Sequence, residues 1–248
     1  MSQPSSVENL NPTLPIDQSI YEVETTQKAP LGTRLNLGDR VYYYAQASAS
    51  VAAGTVLCAG APTASHQSGI FAIAAASADA KVISGTSSAA VTANYYAEGH
   101  FGAALGAGAG QIYRIKSHPA GSAAIPFTLY DGVAQALTSG VGFFLYPNPY
   151  KNVFVASQNL GIPVVIAPVN VTSGGYFWGQ SWGPANPIHE AASAAGASLR
   201  VGTTGGVLAV FNATTNDATT VSALPIAKNS PLAATANQNN PVFLMIRP

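Results

Sequence analysis

The chain has 248 residues, with ten Lys and Arg balancing ten Asp and Glu, so its formal net charge is zero. Charged residues are only 8% of it, against roughly 25% in an ordinary soluble domain. Neutrality argues against nucleic acid or an anionic membrane as the main ligand, and the lone Cys58 excludes both an intrachain disulfide framework and a thiolate metal cage.

Residues 1–30 carry Pro4, Pro12, Pro15 and Pro30 with little periodicity, the pattern of an extended arm. Met1 is followed by Ser-Gln-Pro-Ser-Ser, with neither a basic nor an apolar stretch, so no secretory signal is expected. Longer apolar runs are broken before they reach the length of a membrane helix. The expectation is a protein made and assembled in a cytoplasm. Leu10, Leu14, Ile16, Ile20 and Tyr21 would be wet in a free arm. They are therefore candidate interface residues, expected to lie across a neighbouring subunit.

From residue 31 onward, short apolar runs alternate with turns of small residues, the signature of an all-β sandwich or barrel of short antiparallel strands. Val41–Ala47 and Gly54–Ala59 read as two paired strands separated by the small-residue turn Ser48–Ala53. Cys58 falls on the second of them as a small buried hydrophobe. Further strands are expected at 69–77, 80–85 and 91–105. The glycine-rich turn Gly106–Gln111 lacks a Gly-Lys-Ser/Thr ending and leads into a strand at 112–117 rather than opening a helix, which argues against a phosphate-binding loop. Strands follow at 125–129 and 141–146, then a corner at Pro147-Asn148-Pro149, then a strand at 152–156, and 161–168 leads into the tryptophan segment. A hairpin is expected between 199–202 and 206–211, and the last strands near 225–231 and 241–248. The domain reading is an arm, 1–30, and a β-rich domain, 31–248, with division into two β subdomains near 120–190 left open.

The segment Ser173–Pro184 holds both tryptophans. Aromatics suit a pleated, half-buried surface, so Tyr176, Phe177, Trp178 and Trp182 are candidate core anchors. On a strand, Tyr176, Trp178 and Gln180 point one way while Phe177 and Ser181 point the other. Gly179, having no side chain, would let a neighbouring strand approach closely.

Catalytic patterns are missing from the sequence. Glu22 and Glu24 form the only close pair of acids, and they lie in the arm. His66, His100, His118 and His189 show no metal-ligand spacing, and no Gly-x-Ser-x-Gly elbow occurs. The expectation is a non-enzyme with no catalytic, cofactor-binding or metal-binding residues. A glycan-degrading enzyme would need two carboxylates converging in a cleft. A glycan-binding module would instead expose rings such as Tyr43, Tyr95 or Trp182.

Five blocks occur in order: Asn94-Tyr-Tyr-Ala-Glu-Gly, Gly110-Gln-Ile-Tyr-Arg-Ile-Lys-Ser-His-Pro-Ala, Leu129-Tyr-Asp-Gly, Pro147-Asn-Pro-Tyr-Lys-Asn-Val and Gly175-Tyr-Phe-Trp-Gly-Gln-Ser-Trp-Gly-Pro-Ala. Together they resemble structural proteins of tailed bacteriophages, of the capsid decoration or cement type. The likeness covers residues 90–185 and, more loosely, the rest of the chain to its end. It implies a β-rich protein on the capsid exterior, often a homotrimer, that binds the major capsid protein at junctions between capsomers. A head-fibre or tail-associated protein that recognises host glycans is the alternative. The family has no catalytic motif, so no site residue is carried over.

Overall fold

In the computed structural model the described residues are 17–61, 63–66, 71–87, 89–157, 161–203, 205–211, 225–229 and 234–247. Leu10, Leu14 and Ile16 lie outside them. The protein is all-β, with β1 (Arg34–Leu37), β2 (Arg40–Gln46), β3 (Val56–Cys58), β4 (Phe71–Ile73), β5 (Val82–Thr86), β6 (His100–Ala103), β7 (Ile112–Ser117) and β8 (Ile125–Leu129). They are followed by β9 (Gly142–Tyr146), β10 (Phe154–Val155), β11 (Pro163–Ile166), β12 (Tyr176–Ala185), β13 (Ser198–Val201), β14 (Leu208–Val210), β15 (Ala227–Asn229) and β16 (Val242–Met245). Among the described residues there is no α-helix, only a 3-10 turn at Ala64–His66.

The chain divides into two compact units. One comprises Met1–Gly60 with Pro149–Pro248, and the other is the insertion Ala61–Asn148. The crossing at Asn148/Pro149 lies within the interval 120–190 and falls on the Pro-Asn-Pro corner. The crossing at Gly60/Ala61 does not, because the second unit interrupts the first instead of following it.

The inserted unit is a closed barrel in the order β4-β5-β8-β7-β6-β9. Closure leaves no unpaired edge. Strict alternation along β7 and β8 sends Tyr113, Ile115, Ile125, Phe127 and Leu129 inward. They meet Phe101 and Phe143, whose ring centroids lie 4.6 Å apart. The strand expected over 91–105 is confined to β6. Asn94 and Glu98 adopt left-handed backbone (φ 55° and 65°) and turn the chain before it.

The first unit is organised on β12, which changes partners along its length. Its first part pairs with β2, Ile166 of β11 lies opposite Gln180, and residues Trp182–Ala185 pair with β16. The ordered path runs β10-β3-β11-β12-β16-β15-β13-β14. Its two ends meet where the Gly206 amide donates to the Ala156 carbonyl (2.6 Å) and the Val56 amide to the Gly206 carbonyl (2.8 Å). Strands β3 and β11 lie between two cores. Leu57 and Val165 face one, while Val56, Cys58 and Ile166 face the other. A strand buried on both faces reads as a continuous apolar run, as both of these do.

The expected pairing of 41–47 with 54–59 does not occur. β2 pairs with β1 and β12, whereas β3 pairs with β10 and β11. The connecting segment pairs elsewhere instead of closing a hairpin. Val51 and Val171 exchange backbone hydrogen bonds (2.8 Å each), and the Ala47 amide donates to the Gly175 carbonyl (3.0 Å). The β13–β14 hairpin forms as its sequence indicates, with Leu199 opposite Val210.

Candidate functional site

The alternation expected along the tryptophan strand holds. Trp178 lies opposite Tyr44 and Gln180 opposite Tyr42, so these four share a face. Phe177 and Trp178 are fully buried, while Tyr176 and Trp182 are half-buried against the same core. The space over Gly179 is filled by the Val165 side chain: a Cβ at Gly179 would sit 2.6 Å from Cβ of Val165. The strand shifts register between Gln180 and Trp182. Beyond the shift, Gly183 (φ 88°) crosses so close to the Asp39 backbone that a side chain would collide with it.

Residues 17–30 are not a free arm. Gln18 and Ile20 are buried against this same face. The Gln18 side-chain amide donates to the carbonyls of Tyr176 (3.0 Å) and Glu22 (3.1 Å), and its Oε1 accepts from the Tyr44 hydroxyl (2.8 Å). The Trp178 indole donates to the Gln18 carbonyl (3.2 Å), and Glu24 exchanges backbone hydrogen bonds with Tyr176. Ile20, read as an interface residue, is therefore a core residue of its own chain. The alternation of Gln18 and Ile20 with wet neighbours resembles an arm in sequence, and only the partner strand reveals that it is a cover.

That cover ends at Tyr21, which is 60% exposed. Beyond it the face opens into a cleft of about 460 Å³. Its floor is the cross-strand row Tyr42, Gln180 and Ile166. Tyr21, Arg40, Pro168, Pro184, Asn186 and Asn239 surround it. Arg40 and Tyr42 are two apart on β2 and share a face, and Arg40 Nη1 donates to the Tyr42 hydroxyl (3.1 Å). Burial pushes the Tyr42 phenol up to about 12, with the Arg40 charge opposing the shift. It is a neutral hydroxyl at physiological pH.

The rings proposed from sequence as an open platform are not brought together. Tyr43 is buried, stacked on Tyr150 at 5.0 Å, with the Arg247 guanidinium 5.6 Å from its ring centroid. Tyr95 is half-buried, edge-on to Tyr96. Trp182 keeps a partly open surface beside Phe243 (5.5 Å). The cleft residues Arg40, Tyr42 and Gln180 were not singled out as a site in the sequence. The available signal is Gln180, the one amide in a strand otherwise built of rings, small residues and a proline.

No group of three or more His, Cys, Asp or Glu side chains gathers as a metal site among the described residues. Among the described residues, the nearest approach to a nucleophile pair is Ser193 Oγ with His189 Nδ1 at 3.5 Å. Both residues are buried in the first unit and offer no face to a substrate. Burial pushes the Cys58 thiol up to about 12, so it is not an activated nucleophile. No helix among the described residues is long and apolar enough to cross a membrane. Compared with known proteins, the chain matches no family model, no curated protein and no solved structure.

Proposed function

We propose that the protein is a virion structural protein that decorates and stabilises a phage capsid from outside, binding the major capsid protein at capsomer junctions as a homotrimer. The observation that carries this reading is a surface poor in charge yet studded with large apolar side chains on both units. Ile162 and Tyr21 are 60% exposed in the first unit, and Leu105 and Ile112 are 64% and 59% exposed in the second. Single exposed hydrophobics are ordinary. Combined with 8% charged residues, they describe a chain that leans on neighbours for cover, since free monomers normally rely on surface charge.

The mechanism is mechanical. Each bound copy buries apolar area across a capsomer junction, at roughly 25 cal/mol per Å² before association costs. Repeated over a shell, a standard interface opposes the pressure of packaged genome. A closed barrel suits this task because it lacks the edges through which free sheets would pair with one another.

Heads lacking the protein, mixed with purified chain, test the proposal by co-sedimentation and by survival on heating. Stoichiometric binding that raises the disruption temperature is expected. Heads that neither bind the protein nor gain heat resistance would overturn the proposal.

A further inference from the structure

We infer that the cleft floored by Tyr42, Gln180 and Ile166 is a binding site for a carboxylate-bearing sugar, such as a uronic acid at the end of a glycan. Its volume of about 460 Å³ falls within the usual range for small-ligand sites. The inference rests on how its polar groups are already committed.

Gln180 is only 6% exposed, and both hydrogens of its amide are used. Nε2 donates to the Trp182 carbonyl (3.1 Å) and to the Pro184 carbonyl (2.7 Å). That fixes the carboxamide and leaves Oε1 as an acceptor with no partner among the described residues. Tyr42, 1% exposed, accepts from Arg40, so its own hydrogen remains to donate. A sugar hydroxyl is both donor and acceptor and satisfies this pair.

Arg40 supplies the charge selectivity. Its guanidinium lies 5.9 Å from the Tyr42 ring centroid and donates to the Tyr42 hydroxyl, and Tyr21 lines the same cleft. The carboxylate paired with it, Asp39, is 3.7 Å away at Nε and its side chain is 69% exposed. Such a pair is weak, and a guanidinium fork prefers a bidentate carboxylate. Tyr21 stands at the rim with its ring open, placed to lie against the apolar face of a pyranose. Pro168 and Pro184 supply the remaining apolar wall.

Ligand-observed saturation-transfer NMR on the full chain, with D-glucuronate and D-glucose as probes, tests the site. Saturation of glucuronate is expected, with glucose binding about tenfold more weakly, the loss of one charge-assisted contact. Tyr21→Ala and Arg40→Lys should each weaken glucuronate binding by about tenfold. Tyr21 is largely exposed, so Tyr21→Ala should leave tryptophan emission unchanged, which shows that the fold persists. No transfer to glucuronate, equal transfer to both sugars, or binding unaffected by both variants would each overturn the inference. The experiment involves no phage head, so it can fail while the decoration role stands, and the reverse also holds.

Discussion

Replacing Gln18 with alanine should detach the cover of the tryptophan strand, and the structure sets the scale of the effect. The side chain makes three hydrogen bonds, two through Nε2 and one through Oε1. The Tyr176 carbonyl keeps its bond from the Glu24 amide, and Glu22 is exposed, so its carbonyl turns to water. The Tyr44 hydroxyl still accepts from the Lys28 amide (3.2 Å), but its own hydrogen has no such recourse, because Tyr44 is fully buried. Orphaning a buried hydroxyl costs about 1–3 kcal/mol, and the lost bonds add about 1 kcal/mol more, giving about 2–4 kcal/mol in all. Tyr44→Phe leaves Gln18 Oε1 stranded in turn, at a similar cost. The double variant strands neither group, so it should be less damaging than the sum of the single variants by about 1–2 kcal/mol. Urea unfolding followed by tryptophan emission measures this in the right place, because Trp178 and Trp182, the only two tryptophans, both lie on β12. Additivity of the two variants within about 0.5 kcal/mol would refute the hydrogen-bonded clasp.

Gly179→Ala places a methyl 2.6 Å from Cβ of Val165, a contact no rotamer change relieves. The first unit should lose about 1–3 kcal/mol by the same urea assay, and an unshifted midpoint would show that the sheet yields freely there. Cys58 should resist a thiol reagent at pH 8 in the folded protein and react with one equivalent in urea, since burial disfavours its thiolate. Burial lowers the His189 pKa, and its Nε2 has no hydrogen-bond partner among the described residues. The unfolded chain therefore takes up a proton near pH 6.5 that the folded unit refuses. Stability is full above that pH and falls as pH drops through 6.5 toward the lowered folded value. His66, His100 and His118 all lie in the inserted unit. The urea midpoint of the tryptophan transition should therefore fall from pH 7 to pH 5, and His189→Gln should flatten that slope.

The local grammar of this chain was legible. Rings and β-branched residues between small-residue turns gave the strands, and the period of two set which way Trp178 and Phe177 point. Pairing partners were not legible. Nothing near Val41 says that its strand waits for Trp182, and nothing near Leu57 says that it meets Val155 and Val165 instead of the strand just before it. The insertion stayed hidden for the same reason, since a turn of small residues looks alike whether it closes a hairpin or passes the chain to another sheet. The cleft was invisible because it needs β2, β11 and β12 side by side before Tyr42, Gln180 and Ile166 become one row.

The insertion also sets a timetable for a chain emerging from a ribosome. The barrel is a contiguous stretch, whole once Asn148 has been made. Strand β2, finished at Gln46, pairs at once with β1 but must wait for its second partner, which begins at Tyr176, about 130 residues later. At about 5–20 residues per second that interval is about 6–26 s. Throughout it, Tyr42 and Tyr44 have only β1 and the chain just before it alongside them and lack the face of β12. The inserted barrel can be complete before the first unit is, although the first unit supplies the earliest-made strands.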